Sequence, residues 1–347
     1  MVLAVALSGC GHDARPAASR SASPQPDTSS TEPALAREAP PPGDVVIAPP
    51  PPDLGPPAPP ASQCAAPPPV GAAVGTGTWA VVIGINRYPS GRYNLQSAVP
   101  DAQDVDEALS RFGVPADHRV LLTDGAASGC GITGAADWLV AHAGPGSTAV
   151  FFYAGHARKL GPGSEAVIAA DGMLVADTEL ARHLAGLQAS RTWIGMSACF
   201  GGGFDELLGP GRVLTAAAGP NSLAYENEGF HRSYLVQYMV RKAMIEGAAP
   251  DTVQQSYDWA YGALQREYPN RMPYEIDRAG GPVDIHQPGA PRSASASGSP
   301  APSPSGAGGS GGGGSKSTPP PSVPVTTAPP PPDNCSGLTL GVLHCKK

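Results

Sequence analysis

Short apolar runs alternate with amphipathic stretches through the middle of the chain. The run at 79–85 is continuously apolar, which is typical of a strand buried on both faces in the centre of a sheet. The stretch at 101–112 follows it, and its apolar residues recur on one helical face. This alternation predicts a parallel-rich sheet whose strands are joined by crossover helices.

The same pattern continues to the end of the central region. Further strands are predicted at 119–123, 149–153, 166–169, 191–196 and 212–216. Further helices are predicted at 132–142, 178–187, 231–245 and 252–268, the last beginning with the capping box Thr252-Val253-Gln254-Gln255. The fold class expected from these elements is a three-layer α/β/α sandwich with a mostly parallel central sheet.

Composition separates this region from its flanks. The 347 residues include 44 Gly and 42 Pro, and most of the prolines lie outside the central region. Stretches so rich in Pro, Ala, Ser and Gly bury too little apolar surface to offset chain entropy. We therefore expect a disordered linker at 11–75, one domain at 76–286, a disordered tether at 287–333 and a short cysteine-bracketed tail at 334–347.

The charge balance excludes one class of partner. The formal net charge is −7, and the chain contains no dense run of Lys or Arg. Phosphate binding depends on clustered basic residues. Nucleic acid is therefore not expected as a partner, whereas the oligomeric state is left open.

Residues 1–10 form a short apolar run that ends in Leu-Ser-Gly-Cys. The run resembles a bacterial lipoprotein signal in which Cys10 receives the lipid, although it lacks the basic residues of an export signal. A Pro-rich spacer is what an anchored domain uses. We expect an exported protein that lipid on Cys10 attaches to the cell envelope, at the outer membrane or the cell surface. The alternative is a disordered start whose Cys has no role.

The remaining cysteines fit an exported chain. Of six in total, Cys64, Cys130, Cys335 and Cys345 are left once Cys10 and Cys199 are assigned to lipid and chemistry. Four cysteines in an exported protein suggest disulfides, although the sequence does not fix their connectivity. We favour a small loop closed by Cys335 and Cys345, and the pair Cys64 and Cys130 is a second hypothesis.

Two of the predicted strands end in reactive residues. The strand at 149–153 leads into His156, and the strand at 191–196 leads into Cys199. In open α/β sheets, sites gather beyond the carboxyl ends of the strands, so both side chains are expected at one edge. A catalytic thiol needs a base to hold its thiolate form, and His156 supplies one. The backbone N–H groups of Ala157 and Cys199 are then placed to form an oxyanion hole.

At this point the sequence resembles the caspase, metacaspase and legumain group of cysteine peptidases, above all its bacterial caspase-like members. The resemblance covers roughly 78–277. It is carried by Val81-Val82-Ile83-Gly84-Ile85-Asn86-Arg87-Tyr88, Phe152-Tyr153-Ala154-Gly155-His156 and Ala198-Cys199-Phe200-Gly201-Gly202. The separation of His156 from Cys199 agrees with the spacing of about 50 residues in caspases. The resemblance implies a caspase-like fold, a protein or peptide substrate and a Cys-His dyad.

The chain departs from this family at the substrate pocket. Relatives that cleave after basic residues usually have Asp two positions before the Cys and Ser two before the His, where this chain has Ser197 and Ala154. Asp101 matches the remaining acidic pocket position, although an Asp at the start of a helix is equally explained as an N-cap. One carboxylate in place of two weakens recognition of Arg or Lys, so these three residues are substrate-binding candidates of undefined specificity.

Other functions fit the sequence less well than a cysteine peptidase does. A serine nucleophile at Ser197 is disfavoured because Cys199 stands where the nucleophile elbow needs Gly. No His and Cys spacing resembles a zinc site, and no cofactor is expected; calcium activates some relatives, but the sequence identifies no calcium site. The favoured function is a cysteine endopeptidase. The alternatives are a catalytically inactive caspase-like module that binds peptides at the cell surface, and an envelope protein whose tethers and tail are the working parts.

Overall fold

The computed structural model describes residues 43–47 and 75–291. Its strands are β1 (Asp44–Val46), β2 (Thr78–Gly84), β3 (Arg119–Thr123), β4 (Thr148–Ala154), β5 (Ala157–Gly161), β6 (Ser164–Ile168), β7 (Leu174–Ala176), β8 (Arg191–Ser197), β9 (Arg212–Ala216), β10 (Tyr225–Asn227), β11 (Arg232–Ser233) and β12 (Tyr274–Arg278). Its helices are α1 (Ala98–Arg111), α2 (Gly129–His142), α3 (Asp177–His183), a π-helix (Val236–Ile245) and α4 (Val253–Glu267). Short 3₁₀ helices lie at Ala116–His118, Asp124–Ala126, Leu184–Gly186, Gly201–Gly203 and Asp205–Leu207.

The central sheet has six strands in the order β12-β9-β8-β4-β2-β3. All neighbouring pairs are parallel except β12 with β9. Every residue of β2 is buried, as its uninterrupted apolar sequence requires. The predicted mostly parallel sheet is confirmed, and β12 is an antiparallel edge strand that the apolar pattern did not indicate.

Helices cover both faces of this sheet. On one face α1 packs on β2 and β4, the π-helix packs on α1, and α4 packs on the π-helix. On the other face α2 packs on β2 and β3, and α3 packs beside α2. The predicted three-layer α/β/α sandwich is therefore the observed fold.

Two small antiparallel sheets lie outside the main one. The first has the order β5-β6-β7, and the second has the order β1-β10-β11. The strand predicted at 166–169 overlaps β6 and so belongs to a small sheet. The helix predicted at 231–245 begins later than expected, because Arg232–Ser233 pair with β10 before the π-helix starts.

Side-chain caps begin two of the helices. The Thr252 hydroxyl accepts a hydrogen bond from the Gln255 N–H at 3.2 Å, which is one half of the predicted capping box. Ser128 caps α2 in the same way through the Gly131 N–H at 3.1 Å. None of the helices in the described ranges is both long and apolar enough to cross a membrane.

Candidate active site

The carboxyl ends of β4 and β8 lie side by side. Ala154, the last residue of β4, is the register partner of Ser197, the last residue of β8. The Gly155 N–H donates a hydrogen bond to the Ser197 carbonyl at 3.3 Å, which extends the pairing by one residue. His156 and Cys199 follow directly, so the sheet brings the two predicted catalytic residues to one edge, as expected from the order of the strands.

A backbone carbonyl fixes the protonation of the His156 ring. Nε2 lies 2.7 Å from the carbonyl oxygen of Tyr93. A carbonyl oxygen only accepts, so Nε2 carries the proton and Nδ1 keeps a lone pair. Nδ1 is buried and has no hydrogen-bond partner among the described residues. The ring therefore presents an unused base inside the protein.

Burial lowers the pKa of His156 below its ordinary value, and the carbonyl oxygens of Tyr93 and Ile47 oppose that shift without cancelling it. The imidazole is consequently neutral at pH 7, which is the form that accepts a proton. Its backbone is held as well, because the His156 N–H donates to the Tyr88 hydroxyl at 2.8 Å.

The Cys199 thiol is enclosed by backbone groups. The Ala224 N–H donates to Sγ at 3.2 Å, and Sγ donates to the carbonyl oxygen of Ile47 at 2.7 Å. The residue is fully buried. Burial raises the pKa of Cys199 to about 11, with the Ala224 N–H acting in the opposite direction. In this arrangement the thiol is protonated at neutral pH.

The turn after the nucleophile candidate is tightly constrained. Phe200 is in the left-handed region with φ of 58°, a conformation that non-glycine residues rarely adopt. The 3₁₀ turn Gly201–Gly203 follows, and a Cβ on Gly203 would lie 2.5 Å from the Glu165 carboxyl carbon. Small residues are needed here because the turn packs against β6 and the end of β9.

The backbone groups predicted as an oxyanion hole lie at the same edge. Among the residues that the structure describes, none accepts a hydrogen bond from the Cys199 N–H. Ala157 is the first residue of β5 and is fully buried. The Cys199 N–H therefore remains available to an oxygen atom of a bound peptide.

The three predicted substrate-binding residues also meet. The Asp101 carboxylate accepts hydrogen bonds from the Ser197 hydroxyl at 2.9 Å and from the Ser233 N–H at 3.0 Å. Ala154 is the register partner of Ser197 and is fully buried. Burial raises the pKa of Asp101 to about 7, although the hydrogen bonds from Ser233 and Ser197 favour its ionised form. Asp101 is thus a buried acid that changes charge near neutral pH.

The alternative role of Asp101 as a helix N-cap does not apply. The N-cap of α1 is Ser97, and Asp101 lies in the first turn with its carboxylate directed to β8 and β11. Because the carboxylate is already used across the fold, Asp101 connects α1 to the strand that precedes Cys199.

Sequence reasoning missed the backbone groups that complete the site. The carbonyl oxygens of Tyr93 and Ile47 and the N–H of Ala224 contact His156 or Cys199, yet every residue carries such groups. Tyr88, whose hydroxyl accepts from the His156 N–H, belongs to one of the motifs that carry the family resemblance, so its contact with the site had a sequence signal. Nothing in the composition of the Pro-rich stretch around Ile47 pointed to the site.

Other predicted features fall partly outside the described ranges. Cys130 is disulfide-bonded, whereas Cys199 is free. Cys10, Cys64, Cys335 and Cys345 lie outside the described residues, so their lipidation and pairing stay predictions. Within 43–47 and 75–291, no group of three or more His, Cys, Asp or Glu side chains is arranged to hold a metal ion.

Comparisons with known proteins place the chain. Two solved structures are similar to it. The protein GSU0716 of Geobacter sulfurreducens has 16% sequence identity and a TM-score of 0.46, and the match covers 57% of this chain and 92% of that chain. Caspase-1 of Spodoptera frugiperda has 11% sequence identity and a TM-score of 0.45, and the match covers 59% of this chain and 88% of that chain. No curated protein matches the sequence. The family model described as the caspase domain matches residues 78–257, which is more than half of the chain. The chain therefore belongs to the caspase domain family.

Proposed function

We propose that this protein is a cysteine endopeptidase that uses Cys199 as nucleophile and His156 as general base. One observation carries the proposal: Sγ of Cys199 donates to the backbone carbonyl of Ile47 at 2.7 Å, at the sheet edge where His156 keeps a buried Nδ1 with no hydrogen-bond partner among the described residues. A thiol in contact with a peptide carbonyl, at the same edge as an unprotonated ring nitrogen, is an arrangement suited to acyl transfer.

The reaction follows from this geometry. Nδ1 of His156 takes the thiol proton, and Sγ of Cys199 attacks the scissile carbonyl carbon. The amine leaves with that proton, and a thioester remains on Cys199. Water then attacks the thioester with His156 again accepting a proton, which releases the carboxylic acid and restores the thiol.

The negative charge of the intermediate needs donors close to its oxygen. The N–H of Cys199, which has no acceptor within the described ranges, is proposed to supply them together with the N–H of Ala157. Loss of one such donor typically costs about 10²–10³ in rate.

The residue before the scissile bond is proposed to contact the cluster of Asp101, Ser197 and Ala154. Asp101 already accepts two hydrogen bonds there, and burial holds its pKa at about 7. A basic side chain entering the pocket would favour the ionised acid, whereas an uncharged side chain would meet a largely neutral one at lower pH.

Export and lipid attachment through Cys10 belong to the same proposal. The disulfide at Cys130 supports an oxidising compartment, because disulfides rarely persist in the bacterial cytosol. The mass of the mature N-terminus tests the attachment: a diacylated or triacylated Cys10 is the expected result, and an unmodified Met1 would contradict it.

A second candidate function is an inactive module that binds peptides. It is favoured by the burial of Cys199, whose pKa is raised to about 11. A thiol in that state is a poor nucleophile, yet the surrounding groove still accommodates a peptide strand.

Turnover of a fluorogenic peptide library separates the two candidates. The library varies the residue before the scissile bond over Arg, Lys, Asp, Asn, Gln and small residues, and it is tested with the reduced full chain, with and without calcium. We expect cleavage that is abolished in Cys199→Ala and reduced at least about 100-fold in His156→Gln. His183→Gln, at the end of α3, is the matched control and should leave turnover unchanged. Undiminished cleavage by Cys199→Ala would refute the peptidase, and no cleavage of any peptide would favour the binding module.

A further inference from the structure

Residues 44–47, here called the groove segment, lie in the site as an added strand. β1 pairs antiparallel with β10, with Asp44 opposite Asn227 and Val46 opposite Tyr225. The Ile47 N–H continues the ladder to the Ala224 carbonyl at 3.0 Å. Strand addition to an exposed sheet edge is a common way for a protein to bind an extended peptide.

The groove segment ends at the thiol. Its last residue, Ile47, is 3% exposed, and its carbonyl oxygen accepts the hydrogen bond from Sγ of Cys199. The Ala224 residue that pairs with Ile47 also donates its N–H to Sγ. The segment therefore occupies the place in which a substrate strand has to lie if Cys199 is to reach its backbone.

The first side chain of the segment fills a specific polar pocket. Asp44 is 1% exposed at its side chain, and its Oδ2 lies 2.6 Å and 2.7 Å from two guanidinium nitrogens of Arg271. Its Oδ1 accepts hydrogen bonds from Asn227 Nδ2 at 3.0 Å and from the Tyr234 hydroxyl. Paired guanidinium nitrogens with two neutral donors form a strong set for a carboxylate. We call Arg271, Asn227 and Tyr234 the Arg271 pocket.

The pocket is built by the core and not by the groove segment. Asn227 belongs to β10, Tyr234 follows β11, and Arg271 lies between α4 and β12. The Arg271 guanidinium stacks on the Tyr225 ring at 3.8 Å and bonds the Asn270 carbonyl at 2.8 Å, so it is held in position. Asn227 Nδ2 also contacts the Tyr234 hydroxyl at 3.1 Å. These contacts hold the three donors in position around the carboxylate. An adventitious ion pair would not need donors that are held in this way.

Space remains beside the pocket. A cavity of about 200 Å³ is lined by Tyr225, Tyr234 and Arg271 and by Ala217 and Ala218, which directly follow β9. The groove is therefore wider than the short segment that lies in it, and a longer side chain next to the acidic position has room.

We propose that the Arg271 pocket is a specificity subsite for an acidic side chain of a peptide, three residues before the residue whose carbonyl meets Cys199, and that the groove segment is its built-in inhibitory occupant. The proposal rests on the proposed function for its account of cleavage, but binding at the subsite does not depend on turnover. Asp is the best-fitting side chain because the groove segment places that residue in the pocket.

The test measures peptide binding in the full chain carrying Cys199→Ala, so that no cleavage interferes. The probes are fluorescein-labelled Asp-Val-Val-Ile amide and its Asn-Val-Val-Ile counterpart, read by fluorescence polarisation. Asp44→Asn is added to weaken the groove segment. We expect the double variant Cys199→Ala with Asp44→Asn to bind the Asp probe at least about tenfold more tightly than Cys199→Ala alone does. The double variant should also bind the Asp probe at least about tenfold more tightly than the Asn probe.

Variants of the pocket identify the source of the preference. Arg271→Gln, combined with Asp44→Asn, should bring the Asp and Asn probes to equal affinity, whereas Arg266→Gln on α4 is the matched control and should keep the preference. Should Arg271→Gln lose its cooperative thermal unfolding, Tyr234→Phe removes one donor with the ring retained and should reduce the preference several-fold.

Three outcomes overturn the proposal: equal binding of both probes by Asp44→Asn, binding of neither, or a preference that survives Arg271→Gln in a folded chain. Failure of the peptidase gives a different result. Selective binding of the Asp probe by a chain that cleaves no peptide would support the subsite and contradict the peptidase. Cleavage of peptides by a chain with no preference for the Asp probe would support the peptidase and contradict the subsite.

Discussion

Two opposing influences act on the buried carboxyl group of Asp101. Both of its oxygens accept hydrogen bonds, from Ser197 and Ser233, which favours a carboxylate. Burial nevertheless raises its pKa to about 7. The site therefore holds an acid whose ionisation costs folding free energy near neutral pH.

Asp101→Asn makes that cost measurable. From about pH 3.8 to about pH 7 the folded chain keeps a proton that the unfolded chain releases, so the parent loses stability as the pH rises. An amide preserves the shape, since its oxygen accepts from Ser233 and its NH₂ donates to Ser197. We expect the difference in unfolding free energy, variant minus parent, to increase by about 2–4 kcal/mol between the lower and the upper of these pH values. Denaturant titration at each pH measures it. A pH-independent difference would show that Asp101 is ionised throughout.

Gly155 is the second residue whose environment allows little change. Its φ is +156°, and an added Cβ would lie 2.6 Å from the Tyr153 hydroxyl and 2.8 Å from the Tyr88 hydroxyl. Both hydroxyls bond the backbone of His156, Tyr88 accepting from its N–H and Tyr153 donating to its carbonyl. A side chain at this position therefore displaces the base itself.

Gly155→Ala should lower the unfolding free energy by about 3–5 kcal/mol through strain and overpacking, and should remove turnover. The matched control is Gly163→Ala, where φ is +66° and the added Cβ meets nothing within 4 Å. The control is expected to lose about 1–2 kcal/mol from backbone strain alone and to keep its activity. Equal losses in the two variants, by chemical denaturation, would contradict the crowding around His156.

A charged cluster holds α1 against the strands near the site. Asp104 is buried and pairs with Arg232 of β11 at 2.6 Å and with Arg241 of the π-helix at 3.3 Å. Asp101 lies one turn earlier on the same helix and bonds Ser233 of β11. The cluster therefore holds Asp101 close to β11, the strand that pairs with β10 beside the groove segment.

Asp104→Asn should destabilise the chain by about 2–4 kcal/mol, because it leaves the partly buried Arg232 without its charge partner. Glu107→Gln, one turn further along α1 and 37% exposed, is the control and should cost less than about 1 kcal/mol. Thermal and denaturant unfolding measure both. Similar losses in the two variants would mean that burial of Asp104 has no special effect.

Elements with long apolar or amphipathic patterns were predictable, and short ones were not. β2, β4 and β8 each contain a run of mostly apolar residues, and their order was enough to place His156 and Cys199 at one edge. β10 and β11 are three and two residues long and mostly polar, so they carry no periodic pattern. A strand was predicted at 166–169, where β6 lies, but β5, β7 and the small sheet that the three strands form were missed because tertiary pairing, not local propensity, makes that sheet.

For the site, side chains with chemistry were predictable and their backbone partners were not. His156, Cys199, Asp101, Ser197 and Ala154 could be named from motifs. The Tyr93 carbonyl that fixes the tautomer, and the groove segment that covers the thiol, depend on long-range contacts with no local sequence signature. The groove segment also lies in a range predicted as linker on composition alone, because Pro-rich neighbours hide a short strand.

The groove segment and the central domain meet at the thiol of Cys199. A segment that precedes the central domain in sequence occupies its groove and buries Cys199, whose pKa is raised to about 11. Removal of that cover would expose the sulfur and lower its pKa, so the same contact that marks the substrate path also silences the nucleophile.

Alkylation of the folded chain tests this cover. Iodoacetamide should modify Cys199 about tenfold faster in Asp44→Asn than in the parent, because losing the ion pair with Arg271 frees the groove segment more often. Asp117→Asn, an exposed substitution, is the control. The tryptic peptide 192–212 reports the modification separately from all other cysteines. Identical rates in the three chains would show that the segment does not protect the thiol.

Covalent trapping is the most direct measurement of the central claim. The full chain is incubated with a peptidyl acyloxymethyl ketone whose sequence ends in the residue most readily cleaved in the library, and the mass of peptide 192–212 is then determined. We predict a single peptide adduct, located on Cys199. The adduct should form more slowly in His156→Gln, and the cleavage activity of the parent should fall in proportion to the fraction of Cys199 that is labelled. Continued cleavage with Cys199 unmodified, or an adduct on another residue, would contradict the account.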